Sequence, residues 1–142
     1  GSFTLDLGRM DDLHVVDFHA KERSDSDVTF RWSRDESRIV ILNTSPDVRT
    51  LTIWMDDAGR PANVIPARAA VYLDEVLLGD VNVTTGFQPY VFTIPPDLAA
   101  SLAERQGTAD LTLLSTTWTP SEVLGGSDSR ELGVRVDRVE IQ

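Results

Sequence analysis

The stretch Ser127–Gln142, SDSRELGVRVDRVEIQ, decides the fold. Leu132, Val134 and Val136 alternate with polar neighbours, the period of a strand with one buried face. At Asp137-Arg138 the alternation slips by one residue, and Val139 and Ile141 carry the apolar face onward. Both halves of one strand can face the same core only if an extra residue is absorbed there, most simply by a β-bulge. The chain therefore closes on a long, bent strand, and the rest of the sequence must supply the sheet that receives it.

Segments of strand character fill the chain ahead of it. FTLDLG alternates Phe3, Leu5 and Leu7, and Leu13 to Phe18 is extended before the polar loop HAKERSDSD. VTFRW sets Val28, Phe30 and Trp32 on one face and Thr29 and Arg31 on the other. SRDES reads as a turn, and RIVILN, apolar on both faces, as a central strand covered on both sides. VRTLTIWM places Leu51, Ile53 and Met55 opposite Thr50, Thr52 and Trp54. DDAGRP is a turn. ARAAVYLD and VLLGDVNV form a hairpin about Asp74-Glu75, with a bulge expected at Gly79. Tyr90, Phe92 and Ile94 mark a strand before Pro95-Pro96, and ADLTLLST marks another. One short helix is expected over Asp97–Gln106, capped by Asp97 and ended by Gly107. WTPSEVLGGSD is a long irregular loop. Nine or ten short strands at this spacing are the signature of an all-β sandwich or barrel.

Length and composition narrow the function. The 142 residues suit one domain, and with Gly1-Ser2 read as a cloning scar that domain is residues 3–142. Against 23 acidic residues stand 13 Lys and Arg, a net charge of −10. No basic stripe is available for nucleic-acid phosphates or anionic membrane surfaces. The sequence holds no cysteine, which excludes disulfides, thiolate chemistry and cysteine-bound zinc. No apolar run approaches the roughly 20 residues of a membrane helix, so this segment is not expected to insert directly into a membrane.

Several stretches in order resemble a known module: LDLG, Asp12 with Phe18, His19 and Glu22 of FHAKE, FRWS, Arg60-Pro61, VYLDEVLLGDV, LLSTTWTP and DSRELGVRVDRVEI. Together they resemble the galactose-binding-like jelly-roll domains attached to bacterial glycosyltransferases and cell-envelope proteins, which are similar to carbohydrate-binding modules. The resemblance implies a two-sheet antiparallel β-sandwich of jelly-roll type, carbohydrate as partner beside the neighbouring domains of a parent protein, calcium as an optional cofactor, and a bacterial, extracytoplasmic or cell-envelope setting. Asp17 departs from the pattern, which has glycine before the Phe-His pair, and this leaves the local turn geometry open.

The residues able to carry chemistry each have two readings. Glu22 and Arg31 form either a polar ligand floor or an ion pair tying the 19–27 loop to the FRWS strand. Asp128 and Arg130 pose the same choice, with Arg130 pinning the long loop in the structural one. His19 is a hydrogen-bonded loop residue or a ligand contact; with His14 it makes no metal pair, since the two point to opposite faces of an extended segment. Trp32 belongs to the core. Trp118 plugs one end of the sandwich or offers a platform. Trp54, with Tyr72 on the same side, either presents an exposed ring on which a sugar could stack or lies under a second layer. Acidic clusters supply oxygen atoms for calcium, and Asp11-Asp12 with Asp137 or Glu140 is the expected set if the terminal strands pair. No nucleophile elbow, phosphate loop or paired histidines occur. The expectation is a non-catalytic carbohydrate-binding accessory module, with a structural or protein-interaction sandwich second and a small glycan hydrolase third.

Overall fold

The closing strand lies inside the sheet, hydrogen-bonded to three other strands, in the computed structural model, which describes residues 3–9, 11, 14–42, 44–105 and 107–142. In chain order the strands are β1 (Phe3–Asp6), β2 (Val15–Phe18), β3 (Glu22–Arg23), β4 (Thr29–Leu42), β5 (Thr50–Asp56), β6 (Arg68–Leu73), β7 (Val76–Asn82), β8 (Gln88–Thr93), β9 (Thr108–Ser115) and β10 (Arg135–Ile141). Helix α1 (Pro96–Glu104) precedes β9, and α2 (Pro120–Val123) lies between β9 and β10.

All pairings are antiparallel and follow the path β7-β6-β9-β4-β10-β5-β8, with β1 added to β10 and β2 and β3 added to β4. β4 belongs to both layers. Arg31 and Trp32 pair with β10, while Glu36–Leu42 pair with β9. The path folds over at β4 into two facing layers, β1, β10, β5 and β8 against β2, β4, β9, β6 and β7. This is the expected all-β sandwich.

The alternation of the sequence fills the space between the layers. Leu51, Ile53 and Met55 of β5 and Val136, Val139 and Ile141 of β10 meet Ile39 and Ile41 of β4, Val71 and Leu73 of β6, and Leu111 and Leu113 of β9. Each such side chain contributes about 1.5–3 kcal/mol by leaving water. The expected bulge in β10 is present. Val136 opposes Met55 and Arg138 opposes Trp54, so Asp137 is the absorbed residue. The slip near Gly79 is also present, since Val71 opposes Gly79 and Tyr72 opposes Leu77. A Cβ on Gly79 would stand 2.8 Å from the Phe92 ring, so glycine lets that ring close the gap between β7 and β8.

Several expectations need correction. SRDES is no turn: β4 runs through it, and Arg34, Asp35 and Glu36 are polar because the strand is exposed where it passes between layers. RIVILN is buried on one face only, with Ile39 and Ile41 inside and Leu42 exposed. The 19–27 loop contains the two-residue strand β3. Among the described residues there are two helices, not one. α2 forms where Pro120 supplies a preset φ at the first position, and Gly125 and Gly126 follow with positive φ. α1 has Pro95 at its N-cap, and Asp97 lies in the first turn, where its charge favours the helix dipole. Leu132 leaves the main core for a smaller cluster with Phe30 and Trp32.

Asp17 explains its own departure. Its φ is 60°, in the left-handed region that glycine occupies without strain, and the β2–β4 register shifts between Val16 and Phe18. Ser37 Oγ donates to the Asp17 carbonyl at 2.8 Å and fixes this turn. Replacing Asp17 by glycine is expected to stabilise the fold by about 0.5–1 kcal/mol. Urea unfolding of wild type and D17G checks this, and a lower midpoint in the variant contradicts it.

Candidate functional site at the loop-bearing end

The end of the sandwich formed by the Asp57–Ala67, Val83–Phe87 and Thr116–Val134 connections gathers most of the chemistry. Its foundation is a buried ion pair. Arg31 points to the core side of β4, opposite Val136, and is 7% exposed, while Asp11 is 0% exposed. Arg31 Nε donates to Asp11 Oδ2 at 2.7 Å and Nη2 to Oδ1 at 2.9 Å. Arg31 Nη1 also donates to the His19 carbonyl at 3.1 Å, and the Gly8 amide donates to Asp11 Oδ2 at 2.9 Å. Burial by itself would push the Asp11 carboxyl up; the Arg31 hydrogen bonds and charge, with the Gly8 amide, outweigh it and hold Asp11 below its ordinary value.

The expected Glu22–Arg31 ion pair is therefore corrected. Both are paired, but with other partners. Glu22 Oε2 accepts from Arg130 Nη1 at 2.9 Å, and Arg130 also forks onto Asp128, Nε to Oδ1 at 3.0 Å and Nη2 to Oδ2 at 2.9 Å. The Asp128–Arg130 pairing is as expected. It pins the long loop, holds the Asp128 carboxyl below its usual range and raises the Arg130 guanidinium above its own. His19 is buried, and its Nε2 lies 2.7 Å from the Glu131 carbonyl oxygen. His19, Glu22, Asp128 and Arg130 thus tie the 19–27 segment to the loop before β10.

On the outer side of the same strands sits an aromatic cluster. Trp32 opposes Arg135, which opposes Asp56, so these three share the face turned away from the main core. Phe30, Trp32 and Leu132 are buried there, with Phe87 and Trp118 packed against them. Trp118 pairs with Leu132 through its backbone, donating at 3.1 Å and accepting at 2.8 Å. It is a half-buried plug.

Beside this cluster lies a hollow of about 390 Å³. Pro61, Val64 and Pro66 form apolar wall, and Asp57, Arg60, Asn82, Thr84 and Thr85 bring polar groups. Asp57 Oδ1 accepts from the Gly59 amide and Thr85 Oγ1, each at 2.8 Å. The Thr84 amide donates to Tyr90 Oη at 2.9 Å. Arg60 Nη2 donates to the Gly133 carbonyl at 2.6 Å and the Thr116 carbonyl at 3.0 Å, tying the hollow to the long loop. A hollow of about 570 Å³ at the other end is larger, but Val76 is the single apolar residue of its lining, to which the Arg105–Asp74 ion pair also belongs.

Trp54 and Tyr72 do not share a surface. Each alternates with core residues of its strand, so each points outward, and their strands belong to opposite layers. Trp54 is half-buried, with the Arg138 guanidinium 4.0 Å from its ring centroid. Tyr72 lies between Leu77 and Thr112.

Among the described residues the expected calcium set does not assemble. The terminal strands pair as supposed, Phe3 with Ile141 through Asp6 with Arg138. However, Asp11 is held by Arg31, Glu140 lies 3.7 Å from Arg138, and Asp12 falls outside the described residues. Among the described residues no group of three or more His, Cys, Asp or Glu could hold a metal. Asp137 lies instead near Asp6, and its carboxyl is raised by burial and by that like charge.

The hollow and the Asp56–Arg135 contact were not legible in the sequence. The hollow joins residues 57–67 to residues 82–85, and Asp56 lies 79 positions from Arg135; the local signals are confined to the DDAGRP turn with its Arg60-Pro61. No protein-family model and no curated protein sequence matches the chain. In fold it is similar to solved carbohydrate-binding modules. A family 35 module from an environmental isolate has a TM-score of 0.59 at 13% identity, covering 99% of this chain and 92% of its own. The C-terminal family 6 module of a laminarinase from Zobellia galactanivorans has a TM-score of 0.55 at 14% identity, covering 100% and 99%. A GH26-CBM35 β-1,4-mannanase from Podospora anserina matches 100% of this chain over 27% of its own, with a TM-score of 0.55 at 11% identity. The likeness covers the whole chain and is one of architecture.

A folded carboxyl held low stabilises the protein above the ordinary carboxylate pKa, and this contribution is lost as pH falls through the folded value. Asp11→Asn is expected to cost about 1.5–3 kcal/mol at pH 7, because it removes the charge onto which the Arg31 guanidinium and the Gly8 amide donate. The difference from wild type should shrink on acidification below about pH 4. Chemical unfolding of both proteins from pH 7 to pH 2 measures this. A pH-independent difference contradicts it.

Proposed function

We propose that the chain is a non-catalytic carbohydrate-binding module whose ligand occupies the hollow at the loop-bearing end. The observation that carries this reading is the make-up of that hollow: a proline and valine wall beside hydroxyl, amide, carboxylate and guanidinium groups, on a scaffold similar to carbohydrate-binding modules. Sugars offer apolar C–H faces and a ring of hydroxyls, and a shallow site of this mixed character complements them. The net charge of −10 favours neutral over anionic glycans. Glycoside hydrolysis ordinarily needs two carboxyl groups about 5–9.5 Å apart. Asp57 is the one carboxylate among the residues lining the hollow, which favours binding over cleavage.

In this reading the module is an accessory part of a larger glycan-processing or cell-envelope protein, as in the resemblance to bacterial glycosyltransferase-attached domains, and works outside the cytoplasm. The mannanase, in which such a domain is one part of a longer chain, supports the accessory role. Glycan-array screening followed by calorimetry tests the function. Asn82→Ala with Thr85→Ala is expected to weaken binding at least about tenfold, equivalent to about 1.4 kcal/mol, while Trp54→Ala leaves it unchanged. The reverse pattern moves the site to the outer face of β5. No binding to any glycan leaves the protein-interaction reading, for which exposed Val76 and Leu77 on edge strand β7 are the observation in favour.

Calcium belongs to the same proposal in reduced form. The donor chemistry that suits it is Asp6 with Asp137, two oxygen-bearing side chains brought together by the terminal strands. Arg9 and Arg23 line the same depression and compete with a cation for those carboxylates. Millimolar calcium is expected to raise the melting temperature by about 3 °C, a shift that Asp137→Asn removes. Identical melting curves in calcium and in chelator would end the calcium reading.

A further inference from the structure

Asp56 and Arg135 form a contact that the recognition chemistry above does not use. Asp56 is 1% exposed, at the last position of β5. Its Oδ1 accepts from the Ala58 amide and from the Gly86 amide, each at 2.8 Å. Those two amides belong to the two connections that supply Asp57, Arg60, Thr84 and Thr85 to the hollow. Its Oδ2 accepts from Arg135 Nε at 2.9 Å and also from Nη2. The Arg135 guanidinium in turn lies 4.8 Å from the Phe30 ring centroid, 5.0 Å from that of Phe87 and 6.0 Å from that of Trp32. Phe87 follows Gly86 directly, so the Val83–Phe87 connection is held twice, by its amide on Asp56 and by its ring against Arg135.

We propose that Arg135 is a positioning residue for the glycan site: by neutralising Asp56 inside an aromatic cage, it holds the two connections that face each other across the hollow at their working separation. This rests on the reading of the hollow as the glycan site. A desolvated aspartate without a cation would be costly, and it would turn to water or to a lysine or arginine elsewhere. The two amides on its other oxygen would then be released together. The planar guanidinium matters, because it must stack between rings and fork onto a carboxylate at once. Lysine can satisfy the charge but not the stacking.

The test uses Arg135→Ala, Arg135→Lys and added ethylguanidinium at millimolar, non-denaturing concentration. Amide hydrogen exchange is followed by NMR at Ala58 and Gly86, with β9 amides as an internal reference. In Arg135→Ala the two amides should lose at least about tenfold in protection while β9 keeps its own, and glycan affinity should fall by a similar factor. Ethylguanidinium should restore both, and Arg135→Lys should restore neither. Full protection at Ala58 and Gly86 in Arg135→Ala overturns the proposal, as does failure of ethylguanidinium to restore it. If Arg135→Ala does not fold, Phe87→Leu, which removes one ring of the cage, takes its place with the same loss expected at Gly86. Because the exchange measurement needs no sugar, it decides the role of Arg135 even where no glycan binds, and that outcome would count against the functional reading alone.

Discussion

β10 has to satisfy two demands with one stretch of backbone. It must hydrogen-bond to β5 along its length, to β1 along its second half and to β4 at its start, and, together with Val134 just before it, it must send Val136, Val139 and Ile141 into a single core. A regular strand cannot do this with the sequence as written, since the period of two would turn Val139 and Ile141 outward. The extra residue at Asp137 resolves the conflict and tightens the local twist. From this follow the position of β1 as an added strand and the approach of Asp6 to Asp137. The stacking of Arg138 on Trp54 on the outer face follows as well.

The approach to β10 is as constrained as the strand. Gly133 passes so close to β4 that a Cβ there would collide with Ser33 Oγ and stand 3.0 Å from the Ser33 carbonyl oxygen. The two strands bond in both directions, Ser33 amide to Val134 carbonyl at 2.8 Å and Gly133 amide to Ser33 carbonyl at 2.8 Å, while Ser33 Oγ accepts from the Val134 amide at 2.9 Å. This crossing sits where β4 passes between layers. It places Arg31 on the inner side and Trp32 on the outer side of one strand, and so sets the buried ion pair back to back with the aromatic cluster. The ion pair is not where the fold gains most of its stability, because desolvation offsets much of the attraction between the charges. Its effect is to fix Gly8 and Asp11 against the end of the core.

The sequence carried the architecture because periodicity is local. The parity change in RVDRVEI, the Asp74-Glu75 hairpin and the slip at Gly79 were each readable within ten residues, and each is present. The polar run SRDES misled because exposure in the middle of a long strand has the same composition as a turn; only the pairing of β4 with two different strands tells them apart. The pairing of charges was half legible for a related reason. Glu22, Arg31, Asp128 and Arg130 all have the character of pairing groups, but which acid meets which base depends on the side of a strand each faces, and Arg31 faces the core while Glu22 meets the long loop. Asp17 stands out in the sequence only as a departure from a pattern, and its positive φ puts it in the region that glycine occupies without strain.

An indole on an outer sheet face does not by itself make a platform for a ligand. Trp54 had the clearest signal in the sequence, an indole on the polar face of an amphipathic strand. Its surroundings reduce its value as a platform. Arg138 stands over the ring at 4.0 Å, and the paired neighbour on the other side is Pro89. A ligand stacking there would have to share or displace an existing cation–π contact. The hollow at the loop end has no such occupant on its polar groups beyond bonds that hold the loops in shape. Its polar residues other than Asn82, the last position of β7, also lie outside the strands, so they can change with little effect on the core. A sandwich whose layers are fixed by β4 and β10 leaves these connections free to vary in chemistry, provided that a few buried contacts beneath them keep their geometry.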